Sequence, residues 1–164
     1  MKTSIFTVTA SRWRKALLLF AALVAGGLAF SQISTAADNA RGFSQEPLMK
    51  ISLTIDSDVV LATLYNTPAG RDFAALLPLS LTLEDYADIE RVSPLPGRLS
   101  TVGAPAGFTP QTGDITLYAP WGNLAIFVRD GNYSRGLVPL GKVDGGLPAL
   151  QRPGPLAVQI RAAE

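Results

Sequence analysis

The chain has 164 residues, room for one domain, with 48% apolar residues, 16% charged residues and a formal net charge of +1. It contains no Cys and no His, which excludes Cys nucleophiles, disulfides, zinc sites built on Cys or His, haem held by His, and any triad with a His base. Charge is unevenly placed: residues 1–37 hold Lys2, Arg12, Arg14 and Lys15 and no acidic group, which leaves ten basic against thirteen acidic groups, a net of −3, in the remaining 127. A mildly acidic body with scattered cations argues against nucleic acid as a partner.

In chain order, Ser11-Arg12-Trp13-Arg14-Lys15 precedes fifteen uncharged residues, Ala16 to Phe30, and then a polar stretch that ends in the small residues Ala36 and Ala37. Basic block, short apolar run and small residues are the three parts of a secretory signal over residues 1–37, with cleavage after Ala36 or Ala37. The run is shorter than the roughly 20 residues a permanent span needs, so no membrane span is expected after cleavage, and the mature chain is expected to be periplasmic or secreted. No Cys is present to carry a lipid, and Trp13 separates the two arginines that a twin-arginine signal would pair. Residues 38–47 read as a flexible polar leader.

From Leu48 the pattern changes, and residues 48–162 read as the folded domain. Met49, Ile51, Leu53 and Ile55 alternate with polar residues, a half-buried strand; Asp56-Ser57-Asp58 is a turn, and residues 59–65 return as a second strand. Thr67 then supplies an N-cap and Pro68 a first helical position, with Ala69, Phe73, Leu76 and Leu77 on one face of a short helix that Pro78 ends. Residues 79–83 alternate as a strand. The acidic group Glu84, Asp85, Asp88 and Glu90 reads as a solvated edge, without the spacing of a calcium loop. Seven Gly and Pro residues between Ser93 and Pro110 predict loops around short edge strands. Strands follow at 115–118, 124–129, 137–143 and 156–160, with a short helical turn between Gly146 and Pro153. Six to eight short strands with one early helix and many turns describe a small barrel. Its expected core is Ile51, Leu53, Ile55, Leu61, Leu64, Phe73, Leu76, Leu81, Ile115, Leu117, Ile126, Val158 and Ile160.

Three segments in order resemble the cyclophilin family. The first runs from the hairpin through Leu64-Tyr65-Asn66-Thr67-Pro68 to Asp72-Phe73-Ala74-Ala75-Leu76. The second is Phe108-Thr109-Pro110-Gln111-Thr112-Gly113-Asp114, with the family spacing Phe-x-x-Gln-x-Gly-Asp. The third is Leu140-Gly141-Lys142-Val143-Asp144-Gly145-Gly146. Gly113-Asp114-Ile115 followed by Pro120-Trp121-Gly122-Asn123-Leu124-Ala125-Ile126-Phe127 is similar to the short bacterial cyclophilin-like domains. The resemblance implies a mainly β fold: a closed, mostly antiparallel eight-stranded barrel with one or two short helices.

The resemblance also implies where prolyl isomerase chemistry would lie. Amide resonance sets a barrier of about 20 kcal/mol, which the family lowers with an apolar pocket for the proline ring and an Arg that donates to the prolyl nitrogen. That Arg stands five residues before the Phe of the second segment, and here the position is Gly103. The family's pocket His has no counterpart. The matching residues Phe108, Gln111 and Phe127 are pocket candidates, and Arg98 is an arginine able to reach a pocket from the preceding loop. No catalytic residue, cofactor or metal is assigned. The expected function is an exported binding or accessory module for a small apolar ligand or a proline-containing peptide; the alternative is a weak periplasmic peptidyl-prolyl isomerase that uses Arg98.

Overall fold

The computed structural model describes residues 41–163. The expected signal segment, its cleavage position and the first residues of the leader lie outside them. Among the described residues there are ten strands: β1 (Pro47–Ile55), β2 (Asp58–Tyr65), β3 (Leu79–Tyr86), β4 (Glu90–Pro94), β5 (Gly107–Phe108), β6 (Asp114–Tyr118), β7 (Asn123–Phe127), β8 (Ser134–Arg135), β9 (Leu137–Gly145) and β10 (Leu156–Ala162). One helix, α1 (Pro68–Ala75), follows β2, and a 3-10 helix (Leu147–Gln151) follows β9.

Eight strands close an antiparallel barrel in the order β1-β10-β3-β4-β7-β6-β9-β2, and β5 pairs separately with β8. Closure leaves the barrel itself without a free edge, which removes the usual route to edge-to-edge association through its strands. The β1–β2 hairpin turns on Asp56, whose φ of 53° lies in the left-handed region that Asp tolerates. At the start of α1 the Thr67 hydroxyl accepts from the Gly70 amide at 3.0 Å, with Pro68 in the first turn. The helix places Phe73, fully buried, into the core.

Ile51, Leu53, Ile55, Leu64, Phe73, Ile115, Leu117, Ile126, Val158 and Ile160 are buried together as expected. Leu61 corrects the reading: it is 49% exposed, while Val60, Ala62 and Leu64 face inward. Side chains on a strand alternate, so Leu61 and Leu64, three residues apart, belong to opposite faces. Leu76 and Leu81 are half-buried against the core rather than within it. The acidic stretch 84–90 belongs to a hairpin: β3 runs to Tyr86, Ala87 and Asp88 turn with positive φ, and β4 returns as a full barrel strand.

β4 carries a buried cation. Arg91, 2% exposed, donates from Nε to the Leu150 carbonyl at 2.7 Å, from Nη1 to Gly154 O at 3.2 Å, and from Nη2 to Arg152 O, with Asp85 at 3.2 Å. These bonds tie the 3-10 helix and the loop after it to the barrel wall.

Candidate functional site

β7 is buried on both faces. Leu124 and Ile126 point into the barrel, whereas Ala125 and Phe127 lie outside it in a second apolar cluster with Phe108 and Leu137. Phe108 arrives there on β5, whose pairing with β8 brings the two backbones so close that a Cβ on Gly107 would stand 2.3 Å from the Ser134 carbonyl oxygen. Only glycine fits that approach. The sequence candidates Phe108 and Phe127 are therefore together, 6% and 2% exposed, in a packed patch rather than an open pocket.

That patch is covered by residues ahead of β1. The Phe43 ring lies 5.0 Å from Phe108 and 6.2 Å from Tyr65, centroid to centroid. The Arg41 guanidinium stands 5.4 Å from the Phe43 ring and 5.6 Å from the Phe108 ring. Both of its terminal nitrogens are engaged by Asp114, Nη1 to Oδ1 at 3.1 Å and Nη2 to Oδ2 at 2.5 Å. The bond to Asp114 holds the Arg41 pKa above its ordinary value, against the opposing effect of burial.

Asp114 is the polar centre of this region. Its side chain is 3% exposed and also accepts from the Gln111 amide at 2.8 Å and from Lys142 Nζ at 3.0 Å. A carboxylate taken out of water needs such partners. Lys142 bonds the Thr112 carbonyl as well, at 2.9 Å, so it braces the turn that holds Asp114. On the exposed side of the same turn, Asp130 accepts from the amide and hydroxyl of Thr112, which lowers its pKa.

The other candidates lie elsewhere. Gln111 is exposed, and its backbone, not its side chain, makes the turn to Asp114. Arg98 is exposed and lines a separate depression of about 550 Å³ with Trp121 and Pro120, which neither Phe108 nor Phe127 borders. Gly103 has a φ of 73°, with nothing within 4 Å of where a Cβ would project. It borders a cavity of about 200 Å³ beside Phe43, Pro68 and Val138. Where the resemblance puts a donor arginine, this chain offers a glycine.

Arg41 and Phe43 escaped the sequence reading because they sit in a polar leader with no periodicity. The available signal was that they are the one arginine and the one aromatic residue of residues 38–47. Together these groups hold a guanidinium and an aromatic ring on a firm apolar and anionic surface. Among the described residues there is no cluster of three metal-binding side chains, and no helix long and apolar enough to cross a membrane.

Residues 53–161 match the family described as a cyclophilin-like family. The fold is similar to that of the hypothetical protein AF2241 from Archaeoglobus fulgidus, solved in solution, with a TM-score of 0.54 and 15% identity over 74% of this chain and 99% of that one. Comparison with curated proteins gives no match.

Proposed function

The chain belongs to the cyclophilin-like family, and from that premise we propose that it is an exported binding module whose outer face takes a short peptide bearing an aromatic residue. One observation carries the reading: a turn of the chain's own backbone, with Gly42 at a φ of 74°, already lies there, with Phe43 on Phe108 and Arg41 on Asp114. A surface that holds Arg-Gly-Phe in cis has the chemistry to hold such a segment in trans. Export is supported by the three-part pattern of residues 1–37.

Isomerisation is disfavoured by the same geometry. A donor must be free to reach the prolyl nitrogen, yet Arg98 is in another depression and the terminal nitrogens of Arg41 are occupied by Asp114. Activity on a proline tetrapeptide is expected to be at least about 100-fold below that of an active cyclophilin, the scale of one lost preorganised donor. Near-typical activity would return the protein to the isomerase reading.

Binding is tested by titrating a synthetic peptide of residues 38–47 into the intact chain and into Phe43→Ala, whose own ring no longer covers Phe108. Tighter binding by the variant is expected. Failure of the peptide to bind either protein would overturn the proposal. N-terminal sequencing of the native protein should find Ala37 or Asp38 first, and an intact Met1 in the membrane fraction would defeat the export reading.

A further inference from the structure

Beside the Phe127 and Leu137 cluster lies a cavity of about 180 Å³ with an unusual set of walls. Three aromatic residues surround it. Trp121 meets Tyr118 edge-to-face at 5.3 Å and 85°, and meets Tyr86 at 6.2 Å and 84°. Trp121 is 68% exposed and Tyr86 47% exposed. Three rings meeting at one opening, two of them largely in water, exceed the scattered apolar exposure of an ordinary surface. They are also held in place: the turn that carries Trp121 is closed by bonds from the amides of Trp121 and Gly122 to the Tyr118 carbonyl, at 3.2 and 2.9 Å.

The polar groups of the cavity accept rather than carry positive charge. Asn123 is 9% exposed, and its Nδ2 donates to the Leu124 carbonyl at 3.2 Å. Its Oδ1 has no hydrogen-bond partner among the described residues and is closed off from solvent, and so from an occupant of the cavity. Rotating the amide would set oxygen against oxygen at Leu124, so the arrangement is fixed and the acceptor stays unmet. A buried acceptor without a donor is costly. Glu90 contributes a carboxyl whose pKa burial raises, and no Lys or Arg lines the cavity.

We propose that this cavity is a binding site for a small organic cation, with Tyr86, Tyr118 and Trp121 around the cationic head and Glu90 as counter-charge. Aromatic faces attract cations most strongly at Trp. A neutral alcohol would leave Glu90 without a counter-charge, and an anion would meet Glu90 with like charge. The volume is below the roughly 300–1,000 Å³ of sites for drug-sized ligands, so it suits an alkylammonium head group. This site is distinct from the peptide surface at Phe108 and Asp114 and does not depend on it.

The test is calorimetric titration of the intact chain with trimethylammonium, tetramethylammonium and tert-butanol, three probes of similar shape. Trimethylammonium should bind saturably in the millimolar range. Tetramethylammonium should bind in the same range, because the charge and not an N–H is what the rings and Glu90 meet, and tert-butanol not at all. Trp121→Ala changes an exposed side chain, so the fold is retained, and it should weaken trimethylammonium by about tenfold or more; Glu90→Gln should do likewise. Absence of saturable trimethylammonium binding would overturn the proposal and leave a water-filled cavity. Equal affinity for tert-butanol, or undiminished binding by Trp121→Ala, would overturn it as well.

Discussion

Replacing Arg91 with methionine tests what closes one end of the barrel. The side chains are of similar length, so the substitution removes donors and charge with little change in volume. Three carbonyls, of Leu150, Arg152 and Gly154, lose their bonds to a side chain that is 3% exposed. Hydrogen bonds from charged groups contribute about 1.5–3 kcal/mol each, and part of that is returned because the buried guanidinium no longer has to be desolvated. A net loss of about 3–5 kcal/mol follows. Urea denaturation reads it directly: the midpoint should fall with the slope unchanged, since the surface exposed on unfolding is the same. Asp85→Asn is the control. Its carboxylate is 37% exposed, so its pairing with Arg91 is screened and the loss should stay below about 1 kcal/mol. Arg91→Lys should not rescue, because a compact ammonium cannot span three carbonyls as the guanidinium fork does. A loss below about 1 kcal/mol for Arg91→Met would refute the reasoning and mean that the 3-10 helix docks on its apolar residues, Ala149 and Leu150, alone.

Two further outcomes are expected. Phe73→Ala removes a fully buried ring between α1 and the barrel and should cost about 3–5 kcal/mol, whereas Leu61→Ser, on the outer face of β2, should stay within about 0.5 kcal/mol; the reverse order in thermal unfolding would show that the β2 register is wrong. Glu90→Gln should become progressively more stable relative to the unaltered chain as pH rises from below 4.5 to neutral. The folded carboxyl pKa is raised above 4.5 by burial, so ionising it costs more in the fold than in the open chain. Paired denaturation curves that diverge the other way would indicate a cation beside Glu90.

The strands that could be read from the sequence are those whose two faces differ in polarity. Residues 49–55 and 79–83 alternate because one side meets the core and the other meets water, and the Thr67-Pro68 pair marks α1 through its cap. β4 could not be read this way. Its inward face bears Arg91, satisfied by carbonyls from a segment some sixty positions later, and its outward face bears Glu90 against the cavity. Polar residues on both sides erase the alternation. β2 failed for the opposite reason: residues 59–65 are almost continuously apolar, so the pattern does not say which parity faces in, and the barrel decides. Phe108 and Phe127 were grouped only through the resemblance to a known family. The contact of Arg41 with Asp114 spans 73 positions and leaves no local trace, so the segment lying on the outer face is visible only in the folded chain.

On the binding reading proposed above, more than one side chain separates this chain from an isomerase, and that is itself testable. Gly103 has space around it, since nothing lies within 4 Å of a built Cβ. Its φ of 73° nevertheless penalises any other residue, by about 1–2 kcal/mol for a left-handed backbone. An arginine introduced there would also find Phe43 covering Phe108. Gly103→Arg alone is therefore expected to add little isomerase activity, because the donor would face a covered surface. Combining it with Phe43→Ala supplies a donor and uncovers the ring in one protein. If the outer face retains the family's geometry, the double variant should exceed the sum of the single ones in a tetrapeptide assay, since a donor and a vacant apolar surface act together and not separately. Additive or absent activity would mean that Phe108 and Phe127 are too deeply packed with Ala125 and Leu137 to receive a proline ring. The surface would then be one that holds a segment in place without turning its peptide bond.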